Sequence, residues 1–270
     1  MIPAGNDPLQ RLLVLVPAWN EEHGIAVVLA ELAAELPEAD VLVIDDGSDD
    51  RTAQVAEAAG VEVLRLDRHL GLGAAISSGF SHAVAHGYTL CGRVDADGQH
   101  PAAELRRVAA GVAAGACDLA VGSRFVASHH RPPYRMPLWR MAATSGVRTL
   151  MRGALGRWIY DPLSGMCVAN APAMQLLARP YVGNLPEAEA LIRVDRAGLR
   201  VSEVPVPMRE RRRGDSKMTG GRLITTLPTV AMLARACFRS LIGRRTGSRP
   251  VRSAAEAEAG MPATEPIPRD

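Results

Sequence analysis

Short apolar runs that each stop at a polar turn, with a helical pattern between them, constrain this chain more than any other feature. Leu12 to Val16 is continuously apolar and suits a strand buried on both faces. It ends at Pro17-Ala18-Trp19-Asn20-Glu21-Glu22. Ile25, Val28, Leu29, Leu32 and Leu36 then recur at helical spacing, which predicts a helix over residues 24–36. Val41 to Ile44 runs into Asp45-Asp46-Gly47-Ser48-Asp49-Asp50. A second helix is expected to reach about Ala59, with Ser48 or Asp49 as its N-cap and Gly60 as its C-cap. Val61 to Leu66 reads as a third strand, and Gly71-Leu72-Gly73-Ala74-Ala75 opens a third helix that ends near Gly87. Thr89 to Val94 leads into Asp95-Ala96-Asp97-Gly98-Gln99-His100, and Pro101 sits in the first turn of a helix running to Ala114. Leu119 to Val121 ends at Gly122-Ser123-Arg124. Strands alternating with helices predict an α/β fold with a mostly parallel sheet and right-handed crossovers.

In such a sheet the polar turns share one edge, and that edge is where ligands bind. Asn20, Glu21, Asp45, Asp46, Asp95 and Asp97 are expected to converge there. Asp95 and Asp97 bring two hard carboxylates, and Gln99 can add a carbonyl oxygen. That trio suits Mg²⁺ or Mn²⁺, which bind through one or two carboxylates plus substrate phosphates. A D-x-D alone is more often a solvated turn; the convergence of several turns is what raises it above that reading.

The chain has 270 residues and a formal charge of +2, enough for one α/β domain with additions. The charge is uneven. From Arg209 to Arg252 twelve basic residues stand against two acidic ones, which implies an anionic partner. Phe238 is the one aromatic residue among those charges, too few for the stacking that nucleic-acid binding would need, so no nucleic acid is expected. Cys91, Cys117, Cys167 and Cys237 include no C-x-x-C pair, so buried reduced thiols and a cytoplasmic setting are expected. Residues 1–10 lack the apolar core of a signal peptide and are expected to be disordered. Gly71-Leu72-Gly73 follows the third strand rather than the first, and Ile76 stands where a dinucleotide fingerprint needs its third glycine. No Walker A sequence occurs either.

The second half is less regular. Leu138 to Leu155 reads as a helix interrupted late by Gly153, Asp161-Pro162-Leu163-Ser164-Gly165 as a turn, and Met166 to Ala169 as a short strand. Asp161 is equally well read as a turn cap. Pro186 starts a helix whose Glu187 and Glu189 either serve as a general base or simply suit the helix dipole. Val201 to Val206 reads as a strand.

Five motifs occur in order: Pro17-Ala18-x-Asn20-Glu21-Glu22, Val43-Ile44-Asp45-Asp46-Gly47-Ser48-x-Asp50-x-Thr52, Gly71-x-Gly73-Ala74-Ala75-x-x-x-Gly79, Asp95-Ala96-Asp97-Gly98-Gln99-His100 and Gly122-Ser123-Arg124. Together with Arg211-x-x-Gly214-x-Ser216-Lys217 they resemble the family 2 glycosyltransferases of the GT-A fold, of the polyprenyl-phosphate (dolichyl-phosphate mannose) synthase type. The resemblance covers about Leu12 to Lys217. It departs from the pattern at His69, where Asn is usual, and at Leu72, where Lys or Arg is common.

The resemblance implies an inverting, metal-dependent transfer of sugar from a nucleotide-diphosphate sugar. Pro17, Ala18, Asn20 and Glu21 would line base and ribose, with Asp45 accepting a hydrogen bond from the base and Asp46 beside it. Gly73 and Ala96 would adjoin the donor, and Asp95, Asp97 and Gln99 would hold the metal on its diphosphate. Arg124 and Arg211 would face phosphates across the cleft, with Asp161 near the acceptor; for a hydroxyl acceptor Asp161, Glu187 or Glu189 would be the base. The favoured acceptor is a polyprenyl phosphate; alternatives are a glycan or small-molecule hydroxyl, or a non-catalytic nucleotide-sugar-binding module.

The implied organisation is a GT-A domain over residues 11–220, an amphipathic helix over 221–243 and a disordered tail over 244–270. Leu223 to Ile242 is long enough to span a bilayer, but Pro228, Arg235 and Arg239 interrupt it. An arginine near the centre would cost about 2.5–3.5 kcal/mol on insertion. A helix lying in the membrane interface is therefore expected, with packing onto the domain as the alternative.

Overall fold

The computed structural model describes residues 11–126, 138–183 and 185–209. The expected disordered ends, the helix over 221–243 and Arg211 lie outside them. The first half holds strands β1 (Leu12–Ala18), β2 (Asp40–Asp45), β3 (Glu62–Arg65) and β4 (Leu90–Arg93) with helices α1 (Ile25–Glu35), α2 (Thr52–Ala58), α3 (Leu72–Ala85) and α4 (Ala102–Ala113). The second half adds β5 (Leu119–Ser123), α5 (Leu138–Leu155), β6 (Cys167–Asn170), α6 (Ala171–Leu177), α7 (Pro186–Arg196) and β7 (Val201–Pro205).

The strands form a seven-stranded sheet in the order β3-β2-β1-β4-β6-β5-β7. All pairs are parallel except those of β6, which runs antiparallel to β4 and β5. The chain winds outward from β1 through β2 to β3, then returns to place β4 on the other side of β1. That reversal opens a crevice between the turns after β1 and β4.

β1 shows why its run is unbroken. Leu13 and Leu15 pack on one face of the sheet with α3, α5, α6 and α7, whereas Leu12, Val14 and Val16 pack on the other with α1 and α4. Both faces are covered, so both registers of a period-two strand must be apolar. Cys91 and Cys117 are buried and Cys167 half-buried, all as free thiols. Burial pushes the Cys117 and Cys167 thiols up to about 11, so they stay protonated at neutral pH.

Two expectations need correction. α5 runs unbroken through Gly153, because Met151 and Ala154 are buried in the core and offset the roughly 1 kcal/mol helical cost of glycine. Neither Ser48 nor Asp49 caps α2. The helix begins at Thr52, whose N–H donates to Asp50 Oδ1 (2.9 Å), and Ser48 is drawn away to the turn after β1. The short helix α6, capped by Asn170 accepting from Ala173 N–H, was not anticipated.

Candidate active site

The turns after β1, β2 and β3 are laced together by backbone N–H groups donating to side chains. Asn20 N–H donates to Ser48 Oγ (2.9 Å), Glu21 N–H to Thr52 Oγ1 (2.8 Å) and Asp49 N–H to Asn20 Oδ1 (2.9 Å). Asn20 adopts φ +53, a left-handed conformation that asparagine tolerates better than most side chains. Ala18, at the end of β1, accepts the Asp46 N–H through its carbonyl (2.9 Å), and Pro17 beside it is buried.

The two aspartates after β2 have different tasks. Asp45 Oδ1 accepts from Ser48 N–H (3.2 Å) within its own turn. Asp46 reaches across to the next turn, taking Leu70 N–H and Gly71 N–H (both 2.8 Å), with His69 Nδ1 at 2.9 Å. His69 stacks on Trp19 with ring centroids 4.0 Å apart. Gly47 makes this closeness possible: it sits at φ +67, and a Cβ there would lie 2.5 Å from the Arg68 and His69 backbone. Gly73 lies in the first turn of α3, where a Cβ would approach Tyr181 at 3.0 Å.

The turn after β4 carries the D-x-D pair. Asp95 N–H donates to His100 Nδ1 (3.1 Å), and Asp97 Oδ1 accepts from Gln99 N–H (3.0 Å). Ala96 is buried beneath them. Asp95 Oδ1 accepts from Arg93 Nη2 (2.8 Å), and Arg93 Nη1 donates to Glu187 Oε1 on α7 (2.9 Å). Burial alone would push the Asp95 carboxyl up, but Arg93, His100 and Arg124 together hold it below the usual carboxylate range. Asp95 is therefore ionised at neutral pH. Among the described residues no group of three or more His, Cys, Asp or Glu side chains is arranged to hold a metal by itself. The donor set still fits Mg²⁺ or Mn²⁺: two carboxylates on one strand-end turn, the remaining positions being left to substrate phosphate and water.

The second half supplies the opposite wall. Asp161, fully buried, is held by Arg124 through both oxygens (2.7 Å each) and accepts its backbone N–H as well (3.0 Å). Glu203 on β7 accepts the Tyr160 and Asp161 N–H groups (2.8 Å each), and burial pushes its carboxyl up despite those bonds. Glu189 is taken up by Val182 N–H, Gly183 N–H and Arg193. Gly165 closes the turn against Asp95, for a Cβ at 165 would fall 2.2 Å from Asp95 Oδ2. Finally, Arg209 N–H donates to Gln99 O (3.0 Å) and Arg209 Nη1 to Glu31 Oε2 (2.7 Å). The segment that leads to Arg211 is thus docked on the D-x-D turn.

Arg93, Gly165, Glu203 and Arg209 were not singled out from the sequence. Arg93 carried a readable signal: it is a charge inside an apolar strand, two residues from Asp95 and so on the same face. The others depend on contacts between distant segments.

A mostly parallel sheet with carboxylate-bearing turns at its switch point, joined to a mixed second half, is the GT-A arrangement of glycosyltransferases. A glucosyl-3-phosphoglycerate synthase from Mycobacterium tuberculosis, solved with uridine diphosphate, shares it, with a TM-score of 0.64 at 24% identity over 85% of this chain and 80% of that one. Another structure of that synthase, holding Mn²⁺, matches with a TM-score of 0.59 at 22% identity over 87% of this chain and 80% of that one. The model of the family described as "Glycosyl transferase family 2" matches residues 13–172, and this chain belongs to that family. It is 32% identical to a polyprenol monophosphomannose synthase of Mycolicibacterium smegmatis, over 85% of this chain and 89% of the relative. It is 34% identical to an undecaprenyl-phosphate mannosyltransferase of Micrococcus luteus, over 78% of this chain and 88% of the relative. The protein is a glycosyltransferase.

Proposed function

We propose that this glycosyltransferase moves a sugar from a nucleotide-diphosphate donor to a polyprenyl phosphate, with inversion and with the help of Mg²⁺ or Mn²⁺. The observation that carries this reading is the hydrogen bond from Arg209 N–H to Gln99 O, which ties the first residue of the basic stretch to the D-x-D turn. The names of the two relatives support a lipid-phosphate acceptor.

In this reading Asp45, Asn20 and Glu21 hold the nucleoside at the turns after β1 and β2, with Pro17 and Ala18 forming the floor. Asp46 is committed to the 69–71 turn and shapes the pocket rather than touching the donor. Asp95, Asp97 and Gln99 hold the divalent ion on the diphosphate. When bound, the ion neutralises charge developing on the leaving diphosphate. Arg124, aligned by Asp161, and Arg211 bind phosphate through planar, multiply donating guanidinium groups.

The carboxylates bear on the choice of acceptor. A hydroxyl acceptor needs a base within reach of its proton. Asp161, Glu187 and Glu189 are each engaged by an arginine. A phosphate acceptor is already an anion and needs no such base, which favours the lipid phosphate. No described helix is long and apolar enough to cross a membrane. Contact with the lipid surface falls to residues 221–243, which lie outside the described residues, and places the enzyme peripherally on the cytoplasmic membrane face.

The test is to incubate the protein with UDP- and GDP-sugars and Mn²⁺, with and without undecaprenyl phosphate, and to measure released nucleotide. Release that depends on the lipid phosphate is expected; release stimulated only by soluble hydroxyl acceptors would overturn the reading. Arg211→Ala should depress transfer about ten- to a hundredfold, the worth of a charge-assisted phosphate contact. Removing residues after Arg222 should release the protein from anionic liposomes.

A further inference from the structure

Arg93 is a buried cation at the end of β4, its side chain only 4% exposed. Its guanidinium forks between two segments distant in sequence, with Asp95 of the D-x-D turn on one tine and Glu187 in the first turn of α7 on the other. The acids hold its proton well above the ordinary arginine value even though burial works the other way. Nε is buried with no hydrogen-bond partner. Arg93 also lines a cavity with Ser164, Cys167 and Tyr181 of about 20 Å³, room for roughly one water.

Stability alone is a poor reason for this triad. Apolar residues of similar volume would fill the space as well or better, since desolvating the charges offsets most of their attraction. What a planar fork adds is geometry: it fixes both the spacing and the angle of the two carboxylates. Asp95 is confined on its other side by the Gly165 backbone. One carboxylate thus touches the donor-side turn, the 161–165 turn and, through Arg93, helix α7.

We propose that Arg93 is a positioning residue that sets the register between the D-x-D turn and α7, and through them the approach of acceptor to donor. This inference rests on the transferase reading above. It assigns Glu187 to the scaffold of the cleft as the anchor of Arg93.

The test uses the full chain and the variants Arg93→Met, Arg93→Lys, Glu187→Gln and the Arg93→Met/Glu187→Gln double substitution. For each, kcat and KM are measured for transfer to undecaprenyl phosphate from the nucleotide sugar the wild type accepts. Binding of the matching nucleoside diphosphate with Mn²⁺ is followed by calorimetry, and the melting temperature is recorded. Arg93→Met is expected to lower kcat at least about tenfold, as a misplaced reacting group does, while nucleotide affinity and acceptor KM move less than about threefold. Arg93→Lys should recover part of the loss, and adding Glu187→Gln to Arg93→Met should cost nothing more.

Unchanged kcat, losses that multiply in the double variant, or nucleotide affinity falling in step with kcat would each overturn the inference. Should Arg93→Met not fold, Glu187→Gln decides: a folded, nucleotide-binding variant with reduced kcat supports the proposal, and one with wild-type kcat overturns it. A wild type that glycosylates no lipid phosphate overturns the acceptor reading and this inference together. Normal wild-type transfer with an indifferent Arg93→Met overturns the inference alone.

Discussion

In the first half of the cleft, side chains mostly hold backbone; in the second half the acids hold backbone and most also pair with an arginine. Ser48, Thr52, Asn20, Asp45, Asp46 and Asp97 each accept a backbone N–H within or between neighbouring turns. Asp161, Glu187 and Glu189 also pair with Arg124, Arg93 and Arg193, and Asp118 pairs with Arg200 in the same way at the other end of β5. The first arrangement builds a rigid rim whose polar groups are tied to the sheet edge. The second builds a wall whose charges are compensated pairwise.

Four substitutions sharpen or break that contrast. Asp97→Asn keeps the size of the side chain but removes a charge from the D-x-D turn. Transfer should fall about a hundred- to a thousandfold, the scale for losing a preorganised electrostatic contact, and EDTA should reproduce the loss in a transfer assay. Asp161→Asn attacks the opposite wall and leaves Arg124 without its full counter-charge. Breaking such a buried pair costs roughly 3 kcal/mol, to be read as a lower urea midpoint at constant slope. If the fold is unmoved, the wall does not depend on its pairs.

Asp45→Ala should weaken nucleoside diphosphate binding about tenfold in calorimetry, the worth of one hydrogen bond to a charged group, with little effect on the melting temperature. Unchanged affinity would place the base elsewhere. Asp118→Asn should show the smallest effect, and only in acid. Burial would raise the Asp118 carboxyl, but the Arg200 backbone and side chain and Asn170 hold it below the usual range. Its stabilisation is therefore full above the ordinary carboxylate value of about 4 and is lost as pH falls through the lower folded value. The variant should lose stability less steeply than the wild type below that pH, as seen in urea midpoints across an acid series.

The same contrast explains what could be read from the sequence. Turns that bond to their own backbone keep their partners close in sequence, so Asp45 with Ser48 and Asp97 with Gln99 stand out as motifs. The strands they follow declare themselves by unbroken apolar runs. Partners in the wall are far apart: Arg124 and Asp161 are separated by 37 residues and Arg93 and Glu187 by 94. No local pattern couples them, so Asp161 and Glu187 read equally well as caps, bases or dipole partners. The antiparallel course of β6 was hidden for the same reason, because a four-residue apolar strand carries no mark of direction.

The most direct test of the central claim follows a labelled sugar from its nucleotide to the organic phase. Wild-type protein, Mn²⁺ and undecaprenyl phosphate should carry the label into lipid, with the nucleoside diphosphate released in equal amount. Label that stays in water with undecaprenyl phosphate present, yet moves onto a soluble hydroxyl acceptor, would contradict the account.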